Sequence, residues 1–224
     1  MNRKKIDAVL FDFDGTLQVG DKDELHARLT EITSQMNLGF TDEEIFNFGN
    51  RSDYREMFAL MVNNYNQHHP DTPITGDEFE AVNKEVSGMF DDKFRLADGV
   101  IEVLDKLRSA GKRIGLVTTR GPLSLPRILE RYGISDYFDV IVNRKDVERT
   151  KPHPEPVLKA LEKLGVEDPS TVVFVGDLQD DDVRAGLTAG VKTVLVSEKP
   201  LDPYGAKPTH HFTSLVPIKR HFGR

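Results

Sequence analysis

Asp12 and Asp14 end the run Val9-Leu10-Phe11-Asp12-Phe13-Asp14-Gly15-Thr16, and polar residues follow three later apolar runs as well. Thr118, Thr119 and Arg120 come after the second run. Lys151 comes after the third and a short loop, and Asp177 with Asp180, Asp181 and Asp182 after the fourth. Clustered carboxylates repel one another unless a hard cation sits among them, and Mg2+ prefers oxygen ligands. A carboxylate that attacks a phosphate dianion meets the same repulsion. Mg2+ and Lys151 together would neutralise it and gather charge at phosphorus. Alternate residues of an extended chain share a side, so Asp14 would protonate a leaving oxygen while Asp12 attacks. The residue types point to phosphoryl transfer.

These side chains converge only if the apolar runs lie side by side. Ile6–Phe11, Arg113–Thr118, Phe138–Val142, Thr171–Val175 and Lys192–Val196 are short and almost unbroken, as in parallel strands buried on both faces. Helical periods lie between them: Ile101, Leu104 and Leu107 before Gly111, then Val157, Leu158, Leu161 and Leu164 before Gly165. That alternation predicts an α/β fold, a doubly wound parallel sheet with helices on both faces. In such a sheet ligands bind beyond the carboxyl ends of the strands, where the polar residues stand. From about Gly20 to Asp92 only helical stripes are found: Leu25, Leu29, Ile32 and Met36; Tyr54, Phe58, Met61 and Tyr65; Phe79, Val82, Val86 and Met89. Residues 1–18 and 93–224 are therefore expected to form the core domain and 19–92 an inserted all-helical domain.

Composition narrows the class. The 224 residues carry 30 Lys+Arg against 37 Asp+Glu, a net charge of −7, which argues against a nucleic-acid surface. No apolar stretch is long enough to span a membrane. The absence of Cys removes disulfides, thiolate metal sites and thiol nucleophiles. The start Met1–Lys5 is basic without an apolar core behind it, so no signal peptide is expected and a cytoplasmic location is.

Plainer readings compete at each position. Asp12 and Asp14 alone suit a turn after a strand. An EF-hand is excluded because no helix precedes them and no Glu closes a 12-residue loop. Lys151 alone reads as a surface lysine, and the acids at 180–182 as a helix start favoured by the dipole. His68-His69 and His210-His211 read as loop or strand-edge residues.

The ordered set resembles the haloacid dehalogenase (HAD) superfamily. Asp12-Phe13-Asp14-Gly15-Thr16 looks like its first motif and Gly115–Arg120 its second. Lys151-Pro152-His153-Pro154-Glu155-Pro156 looks like its third, and Val175-Gly176-Asp177 with the downstream acids its fourth. The helical insert falls where the C1 cap sits in relatives such as phosphoglycolate phosphatases and β-phosphoglucomutases. Asp98 departs from the pattern, where a proline is common. The resemblance implies an Mg2+-dependent phosphatase acting on a small phosphorylated metabolite. Asp12 would be the nucleophile that forms an aspartyl-phosphate, and Asp14 the general acid and then base, its carbonyl on the metal. Thr118 would hydrogen-bond the phosphoryl group, with Thr119 beside it, and Lys151 would pair with phosphate and Asp12. Asp177 would be a direct metal ligand. The second acid of the fourth motif has two candidates: Asp181, four positions after Asp177, has the commoner spacing, and Asp182 is favoured because it opens a helix-like run.

Other classes are weighed against this one. A phosphomutase would use the same residues, whereas Asp14 sets the chain apart from the dehalogenase branch. A phospho-accepting signalling receiver also combines Asp, Thr and Lys, but the length, the insert and Asp14 speak against it. A catalytically idle binding protein would not need the intact acid set. Within the insert, Gly49-Asn50-Arg51-Ser52 reads as a tight loop before a helix, and Arg51 reads either as a solvated surface arginine or as the grip for a second phosphate or a carboxylate.

Overall fold

The computed structural model describes residues 5–20, 22–35, 54–81, 84, 94–122 and 124–223. The elements run β1 (Ala8–Phe11), β2 (Gln18–Gly20), α1 (Lys22–Gln35), α2 (Tyr54–His68), β3 (Phe94–Leu96), α3 (Val100–Ser109), β4 (Arg113–Val117) and α4 (Leu125–Arg131). After them come β5 (Val140–Val142), α5 (Glu155–Leu164), β6 (Val172–Gly176), α6 (Arg184–Thr188), β7 (Lys192–Val196), β8 (His210–Phe212) and α7 (Val216–Phe222). Six strands form one sheet in the order β5-β4-β1-β6-β7-β8, and every neighbouring pair is parallel. β1 is thus central. The chain builds β4 and β5 on one side of it and then crosses to β6, β7 and β8 on the other. That reversal is a topological switch point.

Burial explains why these segments are strands. All four residues of β1 and all five of β6 are buried, as expected for strands covered on both faces. Ala8 and Leu10 of β1 pack with Val117, Phe174, Val157, Ala160 and Leu161 in one apolar cluster. α3 turns Val100, Val103, Leu104 and Leu107 inward, and α5 turns Val157, Ala160 and Leu161 inward. Leu104, Leu107, Val157 and Leu161 face inward as their spacing predicts, whereas Ile101 and Leu158 of the same stripes are exposed and Val100, Val103 and Ala160 fill the buried face.

Three short strands were not anticipated. β2 and β3 form a two-stranded sheet of their own. β8 joins the edge of the main sheet, with His210 and His211 in it. Each has three residues, too few for periodicity to register. The predicted strand at Phe138–Val142 begins only at Val140, because Ser135–Tyr137 winds as a 3-10 turn.

By its contacts the chain divides into two compact units. One comprises Met1–Val19, Leu96–Thr119 and Ile128–Arg224, and the other Gly20–Arg95 and Arg120–Arg127. The second unit therefore takes in Arg120–Arg127, a segment that sequence alone assigns to the core. Strand β2 runs into the start of the expected all-helical insert as far as Gly20, and beyond it the described elements of the insert are helical: α1, α2 and residues 76–81. Ile32 and Val62 are buried there. Asn66 accepts from the Ile74 N–H at 2.7 Å and donates to the Ile74 carbonyl at 3.1 Å, bracing the loop after α2. Thr75 and Glu78 bond reciprocally as a capping box for the helix that follows. Arg51, with Met36, Val82, Val86 and Met89 of the predicted stripes, lies outside the described residues. No described helix is long and apolar enough to cross a membrane.

Candidate active site

Strand register brings the polar residues level. Phe11 pairs with Leu116 of β4 and with Val175 of β6. Asp12 is therefore level with Val117 and Gly176, and Thr118 and Asp177 stand one step further out. Two backbone bonds carry the alignment past the strand ends: Asp12 N–H donates to the Val175 carbonyl at 2.8 Å, and Thr118 N–H to the Val142 carbonyl at 2.9 Å. The carboxyl edge of β5-β4-β1-β6 is the platform.

Lys151 joins the acids on it. Its Nζ donates to Asp12 Oδ1 at 2.5 Å and to Asp182 Oδ1 at 2.6 Å. Asp12 is 5% exposed, Asp182 2% and Lys151 9%, so this is a buried network. The Phe174 ring, centred 5.6 Å from the ammonium, lies beside it as a cation–π partner. Asp177 completes the group: Asp12, Asp177 and Asp182 each place an oxygen within 4.8 Å of the others. The Thr16 hydroxyl donates toward Asp177 Oδ1 at 3.3 Å and Asp12 Oδ2 at 3.5 Å, tying the first motif to the fourth.

Two glycines make this approach possible. Gly15 has φ +93°, and a Cβ there would stand 2.2 Å from Asp177 Oδ2. A Cβ on Gly176 would stand 2.3 Å from the Asp182 Cβ. Asp182 reaches inward because Gln179–Val183 winds as one π-helical turn, in which the Leu178 carbonyl accepts from both Asp182 N–H at 2.9 Å and Val183 N–H at 3.3 Å. Asp182 Oδ2 in turn accepts from Leu178 N–H at 3.0 Å. Asp181, the other candidate, is half-buried and outside the carboxylate group.

Charge is concentrated in this site. Among the described residues, the carboxylates of Asp12, Asp177 and Asp182 lie together, and the Lys151 ammonium pairs with two of them. Burial opposes the charged form of Lys151, but Asp12 and Asp182 outweigh it and hold its proton more tightly than in an ordinary lysine. Burial likewise raises the Asp12 carboxyl; Lys151 pulls it down, Asp182 and Asp177 push it up, and it ends well above the usual carboxylate range. All donors are hard oxygens, and a divalent cation would bring positive charge to them. The residues fit such an ion.

The remaining predicted residues stand nearby in sequence order. Asp14 is half-buried, and its Oδ1 accepts from Gln18 Nε2 at 3.2 Å. Thr118 is buried at the end of β4, and Thr119 is half-buried beyond it. Thr16 and Gln18 were missed by sequence reasoning. The signal was present for Thr16, a hydroxyl four residues after Asp12, but a threonine after Asp-Gly is also an ordinary turn residue.

Comparison with known proteins agrees with the geometry. Residues 9–196 match the family model described as haloacid dehalogenase-like hydrolase. The chain is 34% identical over 197 residues to the pyrophosphatase PpaX of Bacillus velezensis, covering 88% of this chain and 86% of that protein. The PpaX of Bacillus pumilus is 33% identical over 201 residues, with the same coverage. Among solved structures, a HAD phosphatase from Thermococcus onnurineus superposes with a TM-score of 0.69 at 25% identity, covering 96% of this chain and 97% of its own. CbbY from Rhodobacter sphaeroides shares the fold with a TM-score of 0.68 at 23% identity, covering 95% and 96%. The carboxylates and lysine at the end of a switch-point strand thus stand in a chain that belongs to the haloacid dehalogenase-like hydrolase family, as an enzyme of its phosphatase type.

Proposed function

We propose that the enzyme is an Mg2+-dependent phosphatase that hydrolyses small phosphorylated metabolites through an aspartyl-phosphate on Asp12. The observation that carries this is the Lys151 ammonium lodged between Asp12 and Asp182, with Asp177 closing a group of three hard carboxylates. Asp12 attacks phosphorus, the bond to the leaving oxygen breaks, and Asp14 gives that oxygen its proton. Asp14 then takes a proton from water, which attacks the acyl phosphate, releases inorganic phosphate and restores Asp12. Lys151 offsets the negative charge shared by Asp12 and the phosphoryl group, and the Thr118 hydroxyl donates to a phosphoryl oxygen. Asp12, Asp177 and the Asp14 carbonyl would hold Mg2+, with Asp182 beside them, and the ion would supply the positive charge that lets two anions meet. The helical unit has the role of the family's cap. The pyrophosphatase names of the curated relatives bring inorganic pyrophosphate into the substrate class.

Phosphate release from nitrophenyl phosphate and from pyrophosphate, with EDTA and after Mg2+ is restored, tests this. Release should stop with EDTA, return with Mg2+, and be abolished in Asp12→Asn. Release that ignores EDTA, or an Asp12→Asn rate above about a thousandth of wild type, overturns the reading.

A further inference from the structure

The segment that delivers Lys151 is built around one more acid. Glu155 is the first residue of α5, where a carboxylate ordinarily serves the helix dipole. This one reaches back instead. Its Oε1 accepts from Glu148 N–H at 2.7 Å, and its Oε2 accepts from Arg149 N–H at 3.2 Å and Arg149 Nε at 3.4 Å. Successive backbone N–H groups aimed at one anion form a nest. Here the anion comes from the chain itself, six and seven residues further on.

A smaller turn sits within the loop so closed. His153 N–H donates to the Thr150 carbonyl at 2.9 Å, and Glu155 N–H donates to His153 Nδ1 at 3.2 Å. Lys151 lies between Thr150 and His153, at the crown of that turn. Its long side chain alone enters the buried network. A lysine carries a flexible four-carbon stem, so the place of its ammonium depends on how firmly the backbone beneath it is held.

We propose that Glu155 is a positioning residue that acts through Lys151. By clamping residues 148 and 149 against the first turn of α5, its carboxylate fixes the loop so that the ammonium falls between Asp12 and Asp182. This rests on the reading of Lys151 as the cation that pairs with phosphate.

A double-mutant cycle of Glu155→Ala and Lys151→Met tests it. The readouts on the Mg2+-loaded enzyme are nitrophenyl phosphate turnover and the Kd of inorganic phosphate by calorimetry. Lys151→Met should weaken phosphate binding strongly. Glu155→Ala should lower turnover and weaken phosphate binding by about tenfold or more, since small misplacements of a positioned group carry losses of that order. In the Lys151→Met background the same change should alter phosphate binding less than about twofold, because residues acting as a unit are not additive. Glu155→Gln keeps one acceptor for the nest and should recover part of the loss. It also carries the test if the alanine variant fails to fold. An equal effect of Glu155→Ala with and without Lys151 overturns the proposal, as does no effect with Lys151 present. If Lys151→Met itself leaves phosphate binding intact, the reading of Lys151 falls instead.

Discussion

Replacing Asp12 with asparagine should stabilise the metal-free protein even as it abolishes turnover. Lys151 Nζ, 2.5 Å from Asp12, attracts it by about 6–7 kcal/mol at an effective dielectric of about 20. Asp177 and Asp182 each place an oxygen within 4.8 Å, where repulsion is about 3.5 kcal/mol per pair or more. The two repulsions cancel the attraction, and the burial of the Asp12 charge is then offset only by hydrogen bonds such as the long one from the Thr16 hydroxyl at 3.5 Å. Asparagine keeps the shape and an acceptor for Lys151 but removes the charge, so a gain of about 1–3 kcal/mol is expected. In a chain of this length that is about 2–4 °C in Tm for each kcal/mol. The pH dependence has a definite sign. Asp12 is raised in the fold, so its contribution is fully present below the ordinary carboxylate range and is lost as pH rises through the folded value. The gap between Asp12→Asn and wild type, measured by thermal melts in EDTA, should therefore open toward neutral pH and close in acid. Mg2+ should close it from the other side by stabilising wild type alone. An Asp12→Asn protein that melts below wild type in EDTA at neutral pH would refute the reasoning, for the Lys151 attraction would then exceed everything that opposes it.

Asp14→Asn should slow release from alkyl phosphates by about 10²–10⁴, the scale of general acid catalysis, and from nitrophenyl phosphate much less, because nitrophenolate leaves without a proton. Equal losses on the two substrates would remove Asp14 from the acid role. Gly176→Ala forces a methyl group into the Asp182 side chain and should cost about 1–3 kcal/mol in a melt. Its turnover should fall at least about tenfold through Asp182, whereas an unchanged rate would show that Asp182 need not stand where it does.

What could be read from sequence was what burial writes into it. β1, β4, β6 and β7 are apolar runs because helices cover both faces, and the acids and Lys151 stood out because they interrupt those runs. β8 escaped because an edge strand with one neighbour tolerates His210 and His211. Residues 120–127 escaped because the sequence shows no break where the chain passes from one unit to the other. The role of Glu155 is not legible in the sequence, since an acid at a helix start is ordinary and its reach back to 148 and 149 is a property of the loop. The choice between Asp181 and Asp182 could not be made by counting, because counting assumes the winding of the turn between Asp177 and the second acid.

That winding bears on how length changes are absorbed next to a buried charge. A π-helical turn is an α-helical turn with one residue inserted and bulged out, and such turns are frequent at functional sites. With Gln179–Val183 wound this way, the inward acid is Asp182, five positions after Asp177, and not Asp181. The wide turn is what carries that carboxylate back to the Lys151 ammonium. The extra residue is stored as a change of pitch and does not push the strand end or the helix out of place. Asp180 is left on the solvent side of the turn, while Asp182 stays buried against Lys151.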